Sequence, residues 1–131
     1  MKKLFSLFIL STFLLTACGG GIEVADKVVM SEHPELEGVI GSWQAMVNAA
    51  EKEDCEAFLD YMRVASNSTV EDCPDAFEYM ADGGPVVDWD RSEWNSTMGK
   101  VKIYKAESGS ITSFILNEAT DVWGADSKFW E

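Results

Sequence analysis

Residues 100–117 read KVKIYKAESGSITSFILN, and this stretch sets the fold class. Lys100 to Ala106 alternates in period two, as a half-buried strand does. Ile111 to Asn117 (ITSFILN) reads as a second strand, and Ser108-Gly109 between them suits a hairpin turn. Working outward, Val122-Trp123 and Lys128 to Trp130 offer material for a further strand, and Val86-Val87-Asp88-Trp89 for a short one before the hairpin. Asp90 to Thr97 reads as a turn or one short helix. Before Pro85 the period changes. Pro34, with His33 ahead of it, suits a first helical position. Leu36, Val39, Ile40, Trp43, Val47 and Ala50 then fall on one helical stripe, with Glu35, Glu37, Ser42, Gln44, Asn48 and Glu51 largely opposite. A second helix is expected near Asp54, a good N-cap, presenting Cys55, Phe58, Leu59 and Met62. Ser66 to Thr69 reads as a loop. A third helix is expected from Pro74, carrying Phe77 and Met80 or Ala81 and stopped by Gly83-Gly84. Helices first and strands after predict an α+β domain, its N-terminal helices packed on a curved antiparallel sheet.

Composition bounds the function classes. The chain has 131 residues, too few for two ordinary domains, and is 47% hydrophobic and 25% charged. Its formal net charge is -13. Residues 1–17 hold two of the ten basic side chains and no acid, so the rest sets 8 basic against 23 acidic, a net -15. That surface repels phosphate backbones and anionic headgroups, which argues against nucleic-acid binding and electrostatic membrane docking. Solubility is the plain reading of the charge.

The first residues carry their own signal. Met1-Lys2-Lys3 gives a positive start, and residues 4–15 (LFSLFILSTFLL) form an apolar run. Twelve residues cannot cross a hydrocarbon core, which needs about 20 in helical form. A charged start, a short apolar run and small Ala17 are the parts of a secretory signal. Leu15-Thr16-Ala17-Cys18 resembles the lipobox of bacterial lipoproteins. The resemblance implies cleavage before Cys18, diacylation of its sulfur and acylation of the new amino group. It predicts a signal peptide at 1–17 and a lipidated cysteine and tether at 18–34. Gly19-Gly20-Gly21 opens that tether, and Ile22, Val24, Val28, Val29 and Met30 make the remainder less polar than a plain linker. In the lipoprotein family an aspartate after the cysteine favours the inner membrane. Gly19 stands there, which implies the outer membrane, facing the periplasm, in an organism that has one. Expected partners are therefore the membrane, through lipid, and a protein, glycan or small apolar ligand.

Residues 35–131 form the remaining domain. Trp43, Ala50, Asp54, Phe58 and Leu59 in a helix–turn–helix, followed by the hairpin at 100–117, resemble the nuclear-transport-factor-two-like cone fold, which includes polyketide-cyclase-like domains. That fold usually ends in two long paired strands. This sequence stops at Phe129-Trp130-Glu131, so the last strand is expected to be short or the sequence truncated. The alternative is a cystatin-like arrangement, one long helix wrapped by an antiparallel sheet.

Few residues offer chemistry. Cys55 and Cys73 each follow Glu-Asp at a helix start, in a chain read as exported and so oxidised. A disulfide between them would pin the second helix to the third. The rival, a metal pair, lacks other thiols, and a closed zinc site would need carboxylates. His33 is the only histidine and lies at the tether, where an exposed helix-start role explains it better than a general base. Asp88-Trp89-Asp90-Arg91-Ser92-Glu93-Trp94 clusters three carboxylates and two indoles. It lacks the glycine and spacing of a calcium loop, and a helix cap at Asp90 accounts for it without a metal. No metal or other cofactor is expected. Trp89, Trp94 and Trp123, near strand ends, are the candidate lining of an aromatic pocket. The expected function is a non-catalytic binding or interaction module. The alternative is a small cone-fold isomerase or cyclase using Asp88 or Asp90 as base in an apolar pocket.

Overall fold

The apolar stripe after Pro34 becomes α1 (Leu36–Glu51), the longest element of the computed structural model, which describes residues 34–131. The signal, Cys18, the tether and His33 lie outside the described residues. Leu36, Val39, Ile40, Trp43, Met46, Val47, Ala49 and Ala50 are all buried. Ser42, expected on the polar side, is buried too. The reason is that neighbours cover more than one face of α1: α2, α3 and the sheet all touch it.

Asp54 caps α2 (Cys55–Leu59) as its residue type predicts, its carboxylate accepting the Ala57 N–H at 3.0 Å. Two 3₁₀ turns, Val64–Ser66 and Val70–Asp72, bridge to α3 (Cys73–Tyr79), which starts one residue before the expected Pro74. Thr69 and Asp72 cap each other across the second turn. A further 3₁₀ turn, Ala81–Gly83, ends the helical half at Gly84, whose φ of 77° suits glycine.

Four strands follow, β1 (Val87–Asn95), β2 (Lys100–Lys105), β3 (Ser110–Asn117) and β4 (Val122–Ala125), paired antiparallel in chain order. The fold class is therefore α+β. Val101 and Ile103 face the core while Lys102 is exposed, so the period-two pattern places its apolar residues inward. A bulge between Ile103 and Tyr104 lets consecutive Ile111 and Thr112 both be buried.

Three expectations are corrected. Asp90 to Thr97 is neither turn nor helix up to Asn95, because β1 continues through it. From Asp88 to Glu93 the strand advances five residues while β2 advances two, so residues 89–92 bulge opposite Ile103. Asp90 consequently sits in a strand and caps nothing. Lys128 to Trp130 is also not a strand: it turns, and Phe129 drops into the core. The far edge of β4 is covered instead by residues 61–63, with Ala125 N–H donating to Tyr61 O and Arg63 N–H to Ala125 O, both at 2.8 Å.

Candidate functional site

Cys55 and Cys73 form a disulfide, with Cα atoms 5.7 Å apart. Both open a helix, so the bridge ties α2 to α3 as their position suggested.

The three candidate tryptophans divide into two places. Trp94, near the end of β1, meets Trp123 of β4 edge to face, with centroids 6.0 Å apart. Trp123 in turn lies on α1 where Gly38 leaves no side chain; a Cβ there would overlap the indole Cδ1 and Nε1. Trp94 keeps 43% of its surface exposed. Trp89 lies elsewhere. It packs on the core and lines an open groove of about 480 Å³ with Ile40, Trp43, Gln44 and the Gly83–Val87 segment. A single pocket lined by all three tryptophans is not what the geometry builds.

Asp88 is in register with Tyr104 and both are half-buried, while Asp90 is exposed. Around them the outward face carries cations. Arg91 donates to the carbonyls of Lys105 and Ser108, each at 3.0 Å, and its guanidinium stands 4.9 Å from the Tyr104 ring centre. Lys102 approaches the same ring. Tyr79 meets Phe129 and Lys105. Its hydroxyl is buried with no hydrogen-bond partner among the described residues.

Sequence reasoning passed over an aromatic cluster. Phe129 touches Trp43, Phe58, Tyr79 and Trp130 at centroid distances of 5.1–6.5 Å, and Phe58 also meets Phe77 edge on. Lys128 beside it pairs with Asp72 at 2.8 Å. The Lys128 ammonium and then the Thr69 N–H hold the Asp72 carboxyl below the usual range, and Asp72 raises Lys128. A chain-terminal FW pair was the available signal for the cluster.

Among the described residues, no group of three metal-ligating side chains gathers, and no helix is long and apolar enough to cross a membrane. Comparison with protein-family models, curated proteins and solved structures finds no match for this chain.

Proposed function

We propose that this chain is a lipid-anchored envelope protein whose folded part, residues 35–131, is a non-catalytic binding module. The carrying observation is Leu15-Thr16-Ala17-Cys18 directly after a twelve-residue apolar run, which places a cysteine at the cleavage position. The Cys55–Cys73 disulfide supports an oxidising compartment outside the cytoplasm. In an organism with an outer membrane, the compartment is the periplasmic face of that membrane. Anchoring follows from acyl chains, each buried methylene contributing about 0.8 kcal/mol, so that several chains together prevent release.

The cone-like shape belongs to this reading. Side chains stand roughly perpendicular to a sheet, and three strand spacings are about 14 Å on a flat one. Trp94 and Trp123, on the first and last strands, nonetheless bring their rings to 6.0 Å, which supports strong curvature. Binding is supported by the exposed Trp94, because an indole gives a large contact area at small entropic cost.

Replacement Cys18→Ser tests the anchor. The variant should stay an uncleaved or unlipidated precursor and leave the detergent phase on partitioning; normal partitioning would remove the lipoprotein reading. The second reading, a cone-fold isomerase or cyclase, is favoured by half-buried Asp88 opposite Tyr104. Turnover that is lost in Asp88→Asn or Asp90→Asn and kept in Trp94→Ala would select it.

A further inference from the structure

Among the described residues, one of the sheet's two lateral edges is covered and the other is not. Residues 61–63 hydrogen-bond along β4, whereas among the described residues no strand or backbone hydrogen bond pairs with the outer side of β1. We propose that this β1 edge, with Asp88, Asp90, Glu93 and exposed Trp94, binds an extended basic segment of a partner protein as an added strand. The proposal rests on the binding-module reading and names its surface and partner chemistry.

The backbone comes first. Val86 C=O accepts the Ala106 N–H at 3.0 Å. Alternation along β2 then directs Lys102 and Lys100 toward β1, where they pair with Glu93 and Asn95. Trp94 lies between those two, so its own N–H and C=O point to the free side. An incoming strand gains main-chain hydrogen bonds there, and the half-exposed indole offers area to its apolar residues.

Charge selects the occupant. Asp88, Asp90 and Glu93 make no ion pair among the described residues. The one cation of β1, Arg91, is directed at the Lys105 and Ser108 carbonyls and the Tyr104 ring. The β1 strand itself is therefore net negative, with Lys102 of β2 opposite Glu93 and directed at the Tyr104 ring. A second copy pairing β1 with β1 would bring these carboxylates near their own kind, which is unfavourable across strands. Phosphate backbones and anionic lipid are repelled by a chain of net charge -13. A strand alternating lysine or arginine with apolar residues fits both backbone and charge. Charges and bulges on an edge ordinarily discourage pairing. Here they reject neutral and acidic strands while admitting basic ones, which is how repulsion creates specificity.

The test uses the full lipidated chain in neutral detergent and three synthetic peptides. One alternates lysine and valine, one replaces lysine by glutamate, and one keeps the lysines but replaces valine by proline. Calorimetry should show the first binding at least tenfold more tightly than either other, with affinity falling as salt rises. Hydrogen exchange should show the Trp94 amide slowed by the first peptide alone. The exposed pair Asp90→Lys with Glu93→Lys should weaken binding at least tenfold without moving the unfolding midpoint. Equal binding of the lysine–proline peptide overturns the strand, and equal binding of the glutamate peptide overturns the charge argument. Slow Trp94 exchange that appears only with rising protein concentration assigns the edge to a second copy. Slow exchange without peptide that is lost on deleting residues 22–33 assigns it to the tether. Either result overturns the proposal. The Cys18→Ser chain should still bind the lysine–valine peptide, so the anchor and the edge fail separately.

Discussion

Gly38 and Gly41 are the same residue type on the same helix, yet a methyl group would have opposite effects at the two. Alanine at Gly38 would collide with the Trp123 indole, while a Cβ at Gly41 would meet nothing within 4 Å among the described residues. Glycine inside a helix is worse than alanine by about 1 kcal/mol. Gly41→Ala should therefore raise the urea midpoint by up to about that much. Overpacking typically costs about 1–3 kcal/mol, so Gly38→Ala should lower the midpoint and, by displacing Trp123, change the fluorescence of the Trp94–Trp123 pair. Neither outcome was legible in the sequence, because helical periodicity assigns a face and does not say which indole arrives there. Ser42 illustrates the same limit: its type says polar, and its burial comes from how many elements surround α1. A further residue-scale prediction concerns acid. The folded pKa of Asp72 is depressed, so its contribution is present above the unfolded value of about 3.8 and is lost as pH falls through the folded value. Lys128 is raised, so its contribution is present below 10.5 and is lost as pH rises through its folded value. Lys128→Met should lower stability slightly in the middle pH range, where the pair is intact, and converge with the wild type at both extremes, the effect being small because side chains still 17% and 23% exposed give a weak pair. Urea midpoints across pH check this.

At the scale of elements, the hairpin, the helices and the start of β1 at Val87–Trp89 were readable, and the rest of β1 was not. The β2 pattern survives because Val101 and Ile103 are buried between neighbours on both sides. The β1 strand is an edge with a bulge, so residues 89–92 follow no period and the polar stretch from Asp90 to Thr97 reads as a turn or one short helix. Trp89 lies within that bulge and Trp94 beyond it, which is why they do not serve one pocket together. Cys55 and Cys73 were legible as a pair because their spacing, helix-start positions and the expectation of export agreed. The loop they close spans 18 residues, and chain-entropy arguments give about 3 kcal/mol for it. Cys55→Ser with Cys73→Ser should cost about 2–5 kcal/mol, read as a lower urea midpoint. Reduction of the wild-type chain should produce a similar fall, and no loss of stability in either case would mean that the helical half is held by packing alone.

For the molecule as a whole, α+β order was legible and the closing contact was not. The C-terminal residues were expected to extend the sheet. Instead Phe129 fills the space among Trp43, Phe58 and Tyr79, joining the last residues to α1, α2 and α3. A sequence cannot show that closure, because the partners lie up to 86 positions apart, from Trp43 to Phe129. Phe129→Ala should cost about 3–5 kcal/mol and loosen both halves together, seen as one cooperative unfolding transition at lower urea. The burial of α1 has a mechanical consequence as well. Pulling on the chain from its N-terminal side loads the domain at Pro34 and Leu36, at the mouth of a helix whose whole length is gripped by the core. The helix cannot be peeled away one contact at a time. It must slide endwise past Trp123 and the helical neighbours, so many side-chain contacts share the force at once, and tension applied at Pro34 is resisted in shear.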